Sequence, residues 1–424
     1  MSEHVESYYA ATANSDMHRA SLQEPVQADV CVIGAGFTGV SSALHLAERG
    51  FKVVLLESSR VGWGASGRNG GQLFVGQRRS QEDLEAWFGR ERARMLWDLG
   101  LEAVDLVTGR VRKHDIRCDL KPGIVSVAAK PSHMDYLRAK IERLREHYGY
   151  DKARLLDAAE TARMVGTDRY AGADLDMGCW HLHPLNFVQG MAEIAEAAGV
   201  RIYEQSTVTG ISKADPALVT TPTGQVTARF VVLACNGYLG KLEPRIAVRA
   251  MPINNFMLAT EPLDESTAKG LIPDDVAVCD TKFVVNYWRL SADRRLLFGG
   301  GETYSPNFPR DIRAFVRPYM LKVYPRLANA RIDYGWGGTL AITLKRLPHF
   351  GRLRPNVFFV QGFSGQGVAL GNLAGKLVAE AIGGTAERFD VMAGLPMPAF
   401  PGGTLLRYPA MVLGMLYYSI LDKL

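Results

Sequence analysis

Val30-Cys-Val-Ile33, Gly34-Ala-Gly36-Phe-Thr-Gly39, Val40-Ser-Ser-Ala-Leu-His-Leu-Ala-Glu-Arg49 and Lys52-Val-Val-Leu-Leu-Glu57 follow one another along the chain. The first block is a β-branched run suited to a strand buried on both faces. The third is a helix that Gly50 ends. Between them lies G-x-G-x-x-G. Gly34 permits the tight turn, Gly36 lets backbone touch a pyrophosphate, and Gly39 allows close helix–strand packing. The helix N-terminus supplies amide donors and positive dipole. The second strand ends in Glu57, which can accept from ribose hydroxyls. An acid there disfavours a 2′-phosphate, which sets NADP aside and leaves FAD or NAD. The reading is a Rossmann-type dinucleotide site in an α/β protein.

The next segment, Ser58 to Gln72, carries Gly62, Gly64, Gly67, Gly70 and Gly71 and almost no core-forming side chains. It cannot pack on a sheet, but its amides can wrap a large planar ligand. Phe230-Val-Val-Leu-Ala234 is another buried strand, leading into a small Cys-Asn-Gly turn. Asn356-Val-Phe-Phe-Val-Gln361 is a third strand. It delivers Gly362, Gly365 and Gly367 to a helix spanning Val368 to Ile382, so a second helix N-terminus can face the same ligand. Two such elements at opposite ends of one chain suit a long cofactor, which favours FAD.

These segments resemble the FAD-dependent D-amino-acid oxidase/sarcosine oxidase superfamily, and within it the γ-glutamylputrescine oxidoreductases of bacterial polyamine breakdown. The resemblance rests on the glycine signature, Glu57 and Trp63-Gly-Ala-Ser-Gly-Arg-Asn-Gly-Gly-Gln72. It continues through Gly178-Cys-Trp-His-Leu-His-Pro-Leu-Asn186 and Val231-Val-Leu-Ala-Cys-Asn-Gly-Tyr238. It closes with Trp336-Gly-Gly338, Pro348-His-Phe-Gly351 and Gln361-Gly-Phe-Ser-Gly-Gln-Gly-Val368. It implies a glutathione-reductase-like FAD-binding domain and a discontinuous α+β substrate domain built on a mixed sheet. The cofactor contacts it implies are Gly34, Gly36, Phe37, Thr38, Gly39, Glu57 and Ser58, then Gly64, Ala65, Ser66, Arg68, Asn69, Gly70, Gly71 and Gln72. Val208, Ala234, Asn236 and Gly237 follow, and Gly362, Phe363, Ser364, Gly365, Gln366, Gly367 and Val368 complete the set. Sarcosine oxidases attach FAD through a cysteine shortly before the segment matching Pro348-His-Phe. Trp336 to Phe350 contains none, so the flavin is expected to be non-covalent. Those enzymes also place a lysine over the flavin for oxygen activation, and the approximate match here is Leu297. Oxygen and another electron acceptor both stay open.

The cofactor domain is expected over 28–84, 156–246 and 336–384, and the substrate domain over 85–155 and 247–335. Residues 1–27 form an N-terminal arm and 385–424 an apolar tail. Gln81 to Val111 and Pro131 to Tyr148 read as helices. Phe256–Thr260, Phe283–Leu290 and Arg295–Gly299 read as strands, with a turn at Ser291–Arg294.

No triad or metal cluster is required, and none is read. The expected reaction oxidises an amine at the C–N bond by hydride transfer to flavin, most simply a γ-glutamylated polyamine, giving an imine that hydrolyses to aldehyde. The alternatives are an amino-acid or N-methyl-amino-acid oxidase or dehydrogenase, and a non-catalytic FAD-binding subunit. Candidate pocket residues are His183, Tyr287, Trp288, Trp336 and Tyr304. Arg249 and Arg289 are candidates for a substrate carboxylate, and Glu261 and Glu302 for a distal cationic amine. Cys179-x-His181-x-His183 invites a metal reading, but no fourth ligand is evident, so a structural or pocket-lining role is preferred.

With 49 Lys+Arg against 44 Asp+Glu the net charge is +5, without like-charge blocks, so nucleic acid is not an expected partner. The five cysteines are scattered and never form C-x-x-C, which fits a reducing compartment. Met1 to Asp29 lacks a signal-like basic-then-apolar pattern, and the chain reads as cytoplasmic. The apolar ending up to Leu421 is interrupted by Arg407, Pro409 and Gly414. It lacks the basic face of a membrane-surface helix, so docking on the protein body or on a second subunit is preferred.

Overall fold

The computed structural model describes residues 3–303, 307–404, 406–409 and 412, and two sheets organise them. The first runs, in spatial order, His349–Arg354, Val357–Gln361, Gln225–Leu233, Pro25–Ile33, Val53–Leu56 and Arg201–Tyr203. Pro25–Ile33 lies parallel to both Gln225–Leu233 and Val53–Leu56, as the buried β-branched runs require. The helix Phe37–Ala47 follows the glycine turn and packs against the helices Gly367–Ile382 and Pro184–Ala197. The packing is close: a Cβ on Gly375 would sit 2.5 Å from the Ser42 amide nitrogen.

The second sheet runs Ile332–Ile342, Met251–Thr260, Leu296–Glu302, Tyr287–Leu290, Ala277–Asp280, Lys121–Val127, Ala173–His181 and Gln72–Leu73. It is mixed, since Ala277–Asp280 is parallel to Lys121–Val127 while Lys121–Val127 is antiparallel to Ala173–His181. The sheets cut across the expected segment boundaries. Gln72–Leu73, Ala173–His181 and the larger part of Ile332–Ile342 fall inside the segments assigned to the cofactor domain, yet pair in the second sheet. The chain enters and leaves the two layers at those strands, and their ends form the wall between them.

Local readings shift at glycines and turns. The helix expected over Gln81 to Val111 breaks into Gln81–Phe88 and Arg90–His114 at Gly89, whose φ of 79° a helix cannot hold. The strand expected from Phe283 starts only at Tyr287, because 281–286 form a loop fastened by Asp280, which accepts from the backbone and side-chain amides of Asn286.

The N-terminal arm is part of the core. Tyr8 and Tyr9 are buried, and the Tyr8 hydroxyl donates to Asp293. In the tail, Phe400 donates its amide to the Val248 carbonyl, and Arg407 reaches the carbonyls of Ala247 and Ala250. The described part of the tail therefore lies on the protein body; residues 413–424 fall outside the described residues. Among the described residues, no helix is long and apolar enough to cross a membrane.

Three buried histidines make stability acid-sensitive. Burial lowers the pKa of His181 and of His183 to about 3, and that of His349 to about 4. Folded values below the ordinary 6.5 mean that the native state holds these rings neutral while the unfolded chain protonates them. Their contribution is full above pH 6.5 and is lost as pH falls toward 3–4, at roughly 1.4 kcal/mol per pH unit for each ring. The urea midpoint is expected to be flat from pH 7 to 8 and to drop steeply below 6. His183→Asn, which keeps an N-cap acceptor, should flatten that drop by about one proton. An unchanged slope would contradict the assignment.

Candidate cofactor cradle and active-site cavity

A cavity of about 610 Å³ opens between the two sheets. One part of its wall comes from the first sheet's turns: Gly36–Thr38, Ala65, Ser66, Arg68, Asn69, Gly70, Ala234, Asn236 and 363–368. Gly34 turns the chain at φ 102°, and its amide donates to the Leu56 carbonyl at 2.8 Å. The first turn of Phe37–Ala47 then faces the cavity with amides that have no intrahelical acceptor. The Phe37 amide donates to Ser66 Oγ at 3.0 Å, which ties the helix to the glycine-rich segment. A Cβ on Gly36 would lie 2.7 Å from that same Oγ, so the approach needs glycine.

Arg68 organises the segment. Its Nε donates to the Trp63 carbonyl at 2.6 Å, its Nη1 donates to Gly337 at 3.2 Å, and its guanidinium lies 4.1 Å from the Trp63 ring centre. Its remaining Nη2 is buried without a partner. Burial lowers the pKa of this arginine, so the cradle holds a desolvated cation in want of an acceptor. Gln366, at the N-cap position of the helix Gly367–Ile382, makes no side-chain capping bond, and its Oε1 is likewise buried without a partner. Two helix N-termini and two orphaned polar atoms around one elongated cavity fit an extended, anion-bearing dinucleotide with hydrogen-bonding edges.

The wall continues onto the second sheet with Phe74, Val75, Ile253, Val285, Leu340 and Tyr287. Tyr287 is slotted in place, because a Cβ on Gly70 or on Gly299 would collide with its ring at 2.7 and 2.2 Å. Its hydroxyl donates to Asn255 Oδ1.

Residues 29–381 match the family model described as FAD dependent oxidoreductase. The chain belongs to the FAD-dependent oxidoreductases. It is 46% identical over 425 residues to the γ-glutamylputrescine oxidoreductase of Escherichia coli K12, covering 100% of both chains. It is 40% identical over 426 residues to the probable oxidoreductase OrdL of Haemophilus influenzae, covering 99% of this chain and 98% of the other. Among solved structures, glycine oxidase from Geobacillus kaustophilus superposes with a TM-score of 0.73 at 22% identity, over 84% of this chain and 95% of that one; this shows a shared fold.

For an FAD-dependent enzyme the placement of the expected contacts falls into two sets. Gly36, Phe37, Thr38, Ala65, Ser66, Arg68, Asn69, Gly70, Gln72, Ala234, Asn236 and 363–368 line the cavity. Gly34, Gly39, Gly64, Gly71, Val208, Gly237 and Gly362 do not, and several of them act as close contacts behind the lining. Glu57 ends its strand as expected and accepts from the amides of Ala35 at 2.7 Å and Ser59 at 2.9 Å. Burial raises its pKa, and those amides oppose the rise. Ser58 donates to the same carboxylate.

Most expected substrate residues lie elsewhere. Trp288 is buried in the second sheet's core, stacked on Phe298 and donating to the Tyr324 hydroxyl, because the strand's alternation turns it away from Tyr287. Arg289 is buried and holds backbone, donating to Gly70 at 3.0 Å and to Leu182 at 2.9 Å. Arg249 donates to the carbonyls of Met397 and Arg245. His183 Nδ1 accepts the Asn186 amide as an N-cap, and its Nε2 meets Thr12 Oγ1 at 3.1 Å. His181 Nε2 donates to the Asp275 carbonyl. Cys179 lines the cavity beside them in sequence only. Trp336 is buried and donates to the Arg68 carbonyl, so it positions the cradle from behind. Glu261 accepts from the Arg331 amide. Glu302 pairs by backbone with Asn255, and Tyr304 lies outside the described residues. Leu297, the approximate lysine match, is fully buried in the core. The lysines among the described cavity residues are Lys140, paired with Asp174 at 2.6 Å, and Lys282, 3.7 Å from Asp280. Ile253, Asn255 and Val285 had no sequence signal, since they are ordinary strand or loop positions until the sheets meet.

Proposed function

We propose that this enzyme oxidises the primary amine of γ-glutamylputrescine. The observation that carries the reading is the full-length 46% identity to an oxidoreductase of that name, supported by a cavity that runs on past the cradle between apolar walls. The residues proposed to hold FAD non-covalently are Gly36–Thr38, Ala65, Ser66, Arg68, Asn69, Gly70, Ala234, Asn236 and 363–368, with Glu57 on the ribose. Bound there, FAD supplies a two-electron acceptor for the C–H bond beside the substrate nitrogen, leaving an imine that water hydrolyses to aldehyde and ammonia.

The chain's own side chains prepare the amine. Phe74, Val75, Ile253 and Leu340 make a poorly hydrated wall that disfavours the ammonium form, so bound substrate gives up its proton to solvent before reaction. Tyr287, braced by Gly70, Gly299 and Asn255, orients the methylene that carries the amine.

Anaerobic titration with γ-glutamylputrescine is expected to bleach the flavin. The kcat/KM should rise with pH toward the substrate amine's own pKa. Readmitting oxygen and assaying peroxide tells whether oxygen is the acceptor. Flavin that stays oxidised with γ-glutamylputrescine but bleaches with glycine or sarcosine would replace this reading with an amino-acid oxidase.

A further inference from the structure

The cavity also reaches a recess in which three buried polar atoms have no partner in the protein. Gln77, Gln81 and Trp97 line it at 6%, 7% and 3% exposure, and Gln77 Oε1, Gln81 Oε1 and Trp97 Nε1 are all without partners. They are gathered by one helix face. Gln77 Nε2 donates to the Leu96 carbonyl at 2.9 Å, and Gln81 Nε2 to Ala93 at 3.1 Å. Trp97 follows on the same helix, Arg90–His114. Gly76 presses the loop onto that helix at Gly100, where a Cβ would meet Gly76 Cα at 2.3 Å. Because each glutamine amide nitrogen faces a carbonyl, which can only accept, the two side chains cannot flip. Both carbonyl oxygens must remain open acceptors.

Leaving two acceptors and an indole donor unsatisfied in a buried place is unfavourable, because each has given up its bonds to water and gained none in return. A ligand that both donates and accepts would satisfy them. The surrounding lining carries Arg78, Arg79, Lys140 and Arg143; Lys140 is paired with Asp174 at 2.6 Å and Arg79 with Asp83 at 3.8 Å, so what this side offers a carboxylate is further N–H donors rather than net charge. Arg143 is itself held by Glu85 at 2.8 Å, which fixes where its head lies.

We infer that this recess is a subsite for a zwitterionic α-amino-acid head group, remote from the carbon that is oxidised. The ammonium donates to Gln77 Oε1 and Gln81 Oε1, and the carboxylate accepts from Trp97 Nε1 on the basic side. Resting on the function proposed above, this head group is the γ-glutamyl end of the substrate, with the amide and methylenes spanning the cavity toward the cradle. The enzyme then selects its amine by a group at the far end of the molecule, as a site built for hydrogen bonds rejects analogues that lack them.

The test uses holoenzyme and γ-glutamyl-n-butylamide, which keeps the head group and has no oxidisable terminal amine. Calorimetric titration is expected to show binding that weakens about tenfold in Trp97→Phe and in Gln77→Leu. N-acetylputrescine, which lacks the head group, should be turned over with the same kcat/KM by wild type and both variants, which excludes misfolding. For γ-glutamylputrescine the variants should raise KM about tenfold with kcat nearly unchanged. Failure of the butylamide to bind, or equal affinity in wild type and variants, overturns the subsite, and the recess then holds water. Failure of γ-glutamylputrescine to bleach wild-type flavin while the butylamide still binds through Trp97 overturns the proposed reaction and leaves the subsite standing.

Discussion

Gly39→Ala is expected to give a colourless protein. A Cβ at this position would lie 1.7 Å from the Gly34 carbonyl oxygen, half the distance an ordinary contact allows, and 3.5 Å from Ala234 Cβ. Neither neighbour can retreat. Gly34 is fixed by its bond to Leu56 and by a turn at φ 102°, and Ala234 donates its amide to the Ile33 carbonyl. The helix Phe37–Ala47 must therefore rise off the strand end by more than an ångström, and Gly375, seated against Ser42 on its other side, leaves it no slack. Overpacking of this kind destabilises by about 1–3 kcal/mol or more. The functional loss is larger, because the first-turn amides leave their positions in the cradle. Flavin absorbance relative to protein absorbance should fall to background, and FAD affinity should weaken at least a hundredfold, roughly 2.7 kcal/mol. Gly109→Ala is the control. It lies within Arg90–His114 with nothing within 4 Å, so it should keep its colour and gain about 0.5–1 kcal/mol. A yellow Gly39→Ala protein with full FAD occupancy would sink the cradle assignment.

That prediction rests on a feature readable from the letters alone, and the reason is local. Strand, turn and helix follow within a few residues, so the glycine spacing and the burial pattern constrain each other before any distant contact forms. The same holds for Gly367–Ile382, whose start the sequence placed one residue late. The substrate end was not legible in this way. Arg289 looks like an anion clamp in a strand, yet the fold brings the Gly70 and Leu182 carbonyls to it from far along the chain, and they take its donors. Trp288 and Tyr287 are adjacent letters with opposite fates, decided by which face of the second sheet meets the cavity. Tyr8 and Tyr9 sit in what reads as a polar arm, and only the closure of both layers buries them. Gln77, Gln81 and Trp97 carry no motif, and their shared helix face becomes visible once the loop at Gly76 is seen against Gly100.

Arg68→Leu should remove FAD affinity nearly as completely as the glycine substitution, by a different route. The guanidinium donates to Trp63 within the glycine-rich segment and to Gly337 on the second sheet, and its Nη2 is buried without a partner in the protein. Trp336 in turn donates to the Arg68 carbonyl at 3.0 Å, so both ends of the residue are clamped. Leucine fills the volume but leaves the Trp63 and Gly337 carbonyls without this donor, at about 1–3 kcal/mol for the buried one, and deletes a desolvated cation from the proposed cradle. Lysine separates the two contributions. It restores the charge, but its point-like ammonium cannot reproduce a planar fork that reaches two carbonyls and a ligand together. If positioning dominates, Arg68→Lys should recover less than a tenth of the lost affinity in a fluorescence titration of apoprotein with FAD. Recovery to within a few-fold of wild type would show that charge alone matters at this position and that the carbonyl contacts are incidental. The thermal midpoint of the apoprotein supplies the internal check. The stranded carbonyls lower it in both variants whether or not FAD is present, whereas loss of a ligand contact leaves the apoprotein untouched and shows only in the holoenzyme.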